Sequence, residues 1–232
     1  MKNSDFRSHG LTRREVLTGF CWLIFETLLF SELLQGLNSL LPTALPQSEI
    51  NFLFFAGNLG AVVLIFRKYL WQQLRLVPEL WGSIVFTVLP GFAAYWLANF
   101  LITQVILVLD PGFASVNDMT IQTLVRENYS LMLIGTVIFV PIAEECLFRG
   151  LAFRGLYDRS PVLAWIFSVS LFSAVHIIGY IGAYPFSRIL LCFIQYIPAG
   201  ICLALTYRLS GSLLSPILIH ALVNLMGMIA LR

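Results

Sequence analysis

Hydrophobic residues along this chain occur in long uninterrupted runs, and short polar stretches separate one run from the next. A run of about 20 apolar residues is long enough to cross the hydrocarbon core of a membrane as an α-helix. The pattern predicts seven such helices, at residues 16–41, 51–70, 81–109, 131–157, 161–180, 187–207 and 213–231. The run 81–109 is long for one crossing, so we expect it to tilt or to break near Pro90-Gly91. An eighth span hidden in 81–130 is the alternative.

The composition supports a membrane protein. Of the 232 residues, 59% are hydrophobic and 11% are charged, whereas soluble domains have roughly 25% charged residues. We therefore predict an all-α fold, a polytopic transmembrane helix bundle of seven to eight spans. The formal net charge of +2 gives no indication of nucleic-acid binding.

The lysine and arginine positions predict how the bundle is oriented. With the N-terminus in the cytoplasm, most of the 14 Lys and Arg residues fall in cytoplasmic segments, as the positive-inside rule requires. We expect a multi-pass protein of the cell membrane with a cytoplasmic N-terminal arm at 1–15. N-terminal membrane spans at 16–130 and a catalytic helical core at 131–232 follow that arm.

Charged residues interrupt the apolar run that begins at Leu131. Glu144, Glu145 and Arg149 lie within it, and ionisable residues at membrane depth are costly and are functional candidates by default. On a helix, Glu145 and Arg149 are four residues apart and share a face, so we expect them to pair. Glu144 points about 100° away and is left free. An unpaired carboxylate in apolar surroundings is suited to act as a general base.

Two further polar groups are predicted to reach a similar depth. If a helical hairpin turns at residues 159–161, Glu144 and His176 lie equally far from the turn on antiparallel helices. His220 and Asn224 are one turn apart on one face of the last helix. We therefore expect these side chains to converge in one pocket within the bundle.

Such a pocket has the chemistry for amide hydrolysis. Glu144 could deprotonate a water molecule that His176 holds from the other side, while His220 and Asn224 donate hydrogen bonds to the developing oxyanion. A zinc site is the alternative, with Glu144, His176 and His220 as ligands and Glu145 as base. The chain lacks an HExxH motif. We expect that no cofactor is required, although zinc stays open.

The ordered motifs Glu-Glu-x-x-x-Arg (144–149), Phe-x-x-x-His (172–176) and His-x-x-x-Asn (220–224) resemble those of the CAAX protease and bacteriocin-processing (Abi) family. Its eukaryotic-type members are the type II CAAX prenyl endopeptidases. The resemblance covers about 131–229 and implies an intramembrane endopeptidase that acts on a membrane-associated peptide or protein. It implies that Glu144 and His176 activate water and that His220 and Asn224 stabilise the oxyanion.

Two other functions remain open at this point. A catalytically silent binding or immunity protein could use the same scaffold, although the motif residues are all present. A transporter or proton relay could also use buried acids and histidines, but it predicts inverted repeats, and none is evident in the sequence.

Overall fold

The computed structural model of the chain describes residues 10–232, and within them it forms eight helices joined by short connections. The fold is all-α, as predicted. The helices are α1 Arg13–Ser39, α2 Gln47–Ile65, α3 Arg67–Leu109, α4 Val116–Glu127, α5 Tyr129–Tyr157, α6 Pro161–Val175, α7 Phe186–Ser210 and α8 Leu214–Ala230. A single 3₁₀ turn, Ile178–Tyr180, lies between α6 and α7.

Five of the described helices are long and apolar enough to cross a membrane, namely α1, α2, α3, α5 and α7. Helices α6 and α8 are apolar but shorter, with 15 and 17 residues. Helix α4 has 12 residues, about 18 Å at the α-helical rise, which is too short to span the bilayer. Multiple candidate spans are therefore present, and the total of seven to eight remains a prediction.

The predicted boundary between the second and third spans was wrong. Helix α2 ends at Ile65, and α3 begins at Arg67 and runs for 43 residues through Pro78 and Pro90. Only Phe66, with φ −97° and ψ 19°, interrupts the helical path between them. A proline removes one backbone donor, and neighbouring groups can compensate for that loss inside a helix bundle. Residues 67–70, which the sequence assigned to the second span, and residues 71–80, which it left between two spans, therefore form the first turns of α3.

The N-terminal arm is shorter than predicted. Helix α1 begins at Arg13, because Thr12 and Glu15 form a capping box. The Thr12 hydroxyl accepts from the Glu15 amide at 3.2 Å, and a Glu15 carboxylate oxygen accepts from the Thr12 amide at 2.8 Å. Residues 1–9 of the predicted arm lie outside the described residues.

The predicted hairpin turns between the last helices are confirmed. The Ser160 hydroxyl caps α6 by accepting from the Leu163 amide at 3.3 Å. After α7, Gly211 has φ 71°, a conformation that glycine adopts without a steric penalty. The chain therefore turns at residues 159–161, the position from which the distances of Glu144 and His176 were counted. Helix α6 lies against α7 at the contact between Val169 and Gly200.

Helix α5 lies at the centre of the bundle. Its residues Cys146–Phe153 are all buried and form a π-helical stretch, and a second π-helical stretch spans Gly135–Phe139. Such stretches inside an α-helix are frequent at functional sites. Glu144 and Glu145 lie on the six-residue α-helical segment between the two.

Candidate active site

The predicted pair between Glu145 and Arg149 is present in the core of the bundle. Both side chains are 0% exposed, and Arg149 Nη1 lies 3.1 Å from Glu145 Oε1. Arg149 Nη2 also donates to the backbone carbonyl of Gly200 on α7 at 3.2 Å. The guanidinium lies 4.5 Å above the Phe172 ring of α6. One arginine thus links α5, α6 and α7 at this level.

His220 contacts the same carboxylate. Its Nδ1 lies 2.9 Å from Glu145 Oε1, and the side chain is 6% exposed. A carboxylate only accepts hydrogen bonds, so Nδ1 carries the hydrogen and Nε2 is left to face another partner. The sequence analysis predicted that His220 lies in the site together with Asn224. It did not predict the contact between His220 and Glu145.

Asn224 lies one helical turn after His220 and is half-buried. Its Nδ2 donates to the backbone carbonyl of Thr136 at 2.8 Å, within the first π-helical stretch of α5. An amide nitrogen has two hydrogens. This contact therefore orients the side chain and leaves a second N–H for another acceptor.

Glu144 is half-buried and is not part of the Glu145–Arg149 ion pair. Its Oε2 atom is buried and has no hydrogen-bond partner among the described residues. A buried carboxylate oxygen without a partner is costly in a structural role. The position is consistent with a group whose partner is a water molecule or a substrate.

Glu26 of α1 is a neighbour of Glu144 that the sequence interpretation missed. It is 8% exposed, accepts from Asn58 Nδ2 at 3.1 Å, and is close enough to Glu144 for their charges to interact. The sequence analysis assigned no function to Glu26. The signal that could have identified it is its position in the middle of an apolar run.

His176 lies at the end of α6, on the other side of the Phe172 ring. Its Nδ1 donates to the Phe172 carbonyl at 2.7 Å, so Nε2 is again the nitrogen left for a second partner. The Phe172 ring centroid is 4.7 Å from that of His176 and 6.2 Å from that of His220. The structure thereby gathers both histidines and Arg149 around one aromatic ring. The His176 ring also stacks on Tyr196 of α7, a contact that the sequence did not predict.

The zinc alternative has no geometric support. Within residues 10–232, no three His, Cys, Asp or Glu side chains are arranged closely enough to hold a metal ion. The set Glu144, His176 and His220 therefore does not form a ligand cluster in this conformation.

Comparison with known proteins identifies a family for part of the chain. Residues 126–226 match a family model described as "Type II CAAX prenyl endopeptidase Rce1-like". The matched segment runs from the end of α4 into α8 and contains all six predicted site residues, Glu144, Glu145, Arg149, His176, His220 and Asn224. No curated protein and no solved structure gives a significant match.

Proposed function

We propose that the chain is an intramembrane endopeptidase that cleaves a membrane-associated peptide or protein, because residues 126–226 match the type II CAAX prenyl endopeptidase Rce1-like family model. The observation that carries the proposal is the unpartnered buried oxygen of Glu144 beside the cluster of Glu145, Arg149 and His220. The family implies a peptide substrate, and the long apolar helices imply a lipid bilayer around the protein.

In the first step, Glu144 acts as the general base. Its carboxylate takes one proton from a water molecule, and His176 holds that water by accepting its other hydrogen at Nε2. The oxygen of the resulting hydroxide attacks the carbonyl carbon of the scissile amide. A new C–O bond forms, and the electron pair of the C=O π bond moves to oxygen to give a tetrahedral oxyanion.

His220 and Asn224 stabilise that oxyanion. The second N–H of Asn224 can donate to it directly, because the first is held by the Thr136 carbonyl. His220 can donate through Nε2 only when both ring nitrogens carry hydrogen, because its Nδ1–H is directed at Glu145. Arg149 holds the Glu145 carboxylate in place, and that carboxylate in turn orients the His220 ring.

The second step breaks the amide bond. The oxyanion collapses to a carboxyl group, and the electron pair of the C–N bond leaves with the nitrogen. Glu144 returns its proton to that nitrogen, which releases an amine and regenerates the base. The sequence of steps requires no metal ion, and we propose that none takes part.

A peptide-cleavage assay on the full chain in detergent tests the assignment. Purified protein is mixed with a library of quenched fluorescent peptides, and the variants are Glu144→Gln and Asn224→Ala. Loss of the general base should lower cleavage by about 10²–10⁴-fold, and loss of the oxyanion donor by about 10²–10³-fold. Glu32→Gln is the matched control, since Glu32 is exposed on α1 and its loss should leave cleavage unchanged.

The same assay separates this proposal from its competitors. We expect a chelator to leave cleavage intact, whereas complete loss that zinc reverses would favour the metal mechanism. Cleavage that persists in Glu144→Gln would rule out Glu144 as the base. Absence of cleavage with every peptide would favour a silent binding protein on the same scaffold.

We also propose that the N-terminus is cytoplasmic and that the protein resides in the cell membrane. The support is the positive-inside distribution of lysine and arginine. Labelling of single cysteines by a membrane-impermeant reagent in intact cells checks this orientation. A cysteine placed in the α1–α2 connection (residues 40–46) should react from outside, and one placed in the α5–α6 connection (residues 158–160) should not.

A further inference from the structure

The His176 ring is held by a layer of side chains that begins outside the segment that matches the family. Its ring centroid lies 4.1 Å from that of Tyr196, and the two planes are inclined by 25°, which is a stacked arrangement. The hydrogen bond from Nδ1 to Phe172 fixes one atom of the imidazole. It leaves the ring free to rotate about the direction of that bond, whereas the stack on Tyr196 restrains the ring plane.

Helix α4 in turn holds Tyr196. Asn117 Nδ2 donates to the Tyr196 hydroxyl at 3.0 Å, and that hydroxyl makes a long contact of 3.5 Å with Asp118 Oδ1. Asp118 is exposed at the outer edge of this layer and lies close enough to His176 for an electrostatic interaction.

The first turn of α4 is fixed by its own contacts. The Ser115 hydroxyl caps the helix by accepting from the Asp118 amide at 3.4 Å. Val116 is 1% exposed and packs in a small apolar cluster with Ile177 and Ile189. The position of Asn117 is therefore set by a capped and packed turn.

We propose that Tyr196 is a positioning residue for His176 and that Asn117, held by the first turn of α4, sets the position of Tyr196. The inference rests on the proposed function, because it assumes that His176 holds the attacking water. Asn117 lies before residue 126, outside the matched segment. Helix α4, which connects the N-terminal spans to the catalytic core, thereby affects the reaction by fixing the orientation of the His176 imidazole.

Kinetics of four variants test the proposal on any peptide that the wild type cleaves. Tyr196→Leu removes the stack and should lower kcat by about 10–100-fold with KM nearly unchanged, the range typical of lost orienting contacts. Tyr196→Phe keeps the ring but loses the Asn117 contact, and Asn117→Ala loses the same contact from the other side. Both variants should lower kcat by similar factors, which are smaller than the factor for Tyr196→Leu.

Tyr180→Phe is the matched control. The Tyr180 hydroxyl also ties the neighbouring loop to α4, by donating to Thr120 Oγ1 at 2.9 Å. If the hydroxyl contacts merely hold α4 in place, Tyr180→Phe should reduce kcat as much as Tyr196→Phe, and that result would overturn the proposal. A kcat of Tyr196→Leu within twofold of the wild type would overturn it as well.

Histidine NMR tests the geometry without requiring activity. The chain contains three histidines, so spectra of histidine-labelled protein in detergent show few signals, and His176→Gln assigns the one of interest. Loss of the shielding Tyr196 ring in Tyr196→Leu should move the His176 ring signals downfield and leave those of His220 in place. Unchanged His176 signals refute the stacking contact. If the wild type cleaves no peptide, the proposed function fails and these spectra decide the positioning claim alone.

Discussion

Replacement of Arg149 by methionine is expected to destabilise the protein strongly. The side chain is 0% exposed, pairs with the fully buried Glu145 at 3.1 Å and donates to the Gly200 carbonyl at 3.2 Å. Methionine fills a similar volume but leaves the Glu145 carboxylate with His220 as its remaining partner. Removal of one member of a buried ion pair reduces the free energy of unfolding by about 3–5 kcal/mol.

Reversible unfolding by sodium dodecyl sulfate in mixed micelles, followed by tryptophan fluorescence, measures this difference. Arg188→Met is the matched control, because Arg188 and Asp110 are 3.7 Å apart and both about one-third exposed. Exposed pairs of this kind contribute about 0–1 kcal/mol. The reasoning is refuted if Arg149→Met is no more destabilising than Arg188→Met.

A double variant separates the charge effect from the packing effect. Glu145→Gln combined with Arg149→Met replaces the buried pair by two neutral side chains, so no carboxylate is left without its counter-ion. The double variant should be more stable than Arg149→Met alone by at least about 1 kcal/mol, because neutral replacements of buried pairs are tolerated far better than single deletions. A double variant that is no more stable than Arg149→Met would show that packing, and not charge, dominates at this position.

Two further predictions concern the support of the site by α2 and α3. Asn58→Leu removes the amide that donates to the buried Glu26 carboxylate at 3.1 Å. Thermal unfolding should therefore show that the free energy of unfolding falls by about 1–3 kcal/mol, and an unchanged melting temperature would contradict this. Gly91→Val places a Cβ 2.6 Å from the Ile219 Cδ1 atom, and such overpacking costs about 1–3 kcal/mol. Cleavage should also fall, because Ile219 precedes a site residue. Gly82→Val, at a position with open space around the added Cβ, is the control and should leave both measurements unchanged.

The fold class followed from the sequence because long apolar runs have few alternatives to membrane helices. The helix boundaries were less predictable. Arg67 begins α3 although it lies in a polar stretch, and the sequence alone does not distinguish a polar helix end from a loop. The 12-residue helix α4 was missed for the same reason, since a short amphipathic connector carries no long apolar run.

Contacts within one helix were predictable from spacing. Glu145 and Arg149 pair because residues four apart share a helix face, and Glu144 stays unpaired because it is displaced by one position. The predicted turn between α5 and α6 is also present, and His176 follows the last residue of α6. These features depend on the period and rise of one helix, which local sequence determines.

Contacts between helices were decided only by the tertiary structure. His220 binds Glu145 across 75 residues, Asn224 binds the Thr136 carbonyl across 88, and Tyr196 stacks on His176. Each depends on how far one helix is rotated about its axis against another, and that rotation results from packing summed over the whole interface. The sequence therefore determined which polar groups are available and on which helices they lie, and the packing of the bundle determined which of them are in contact.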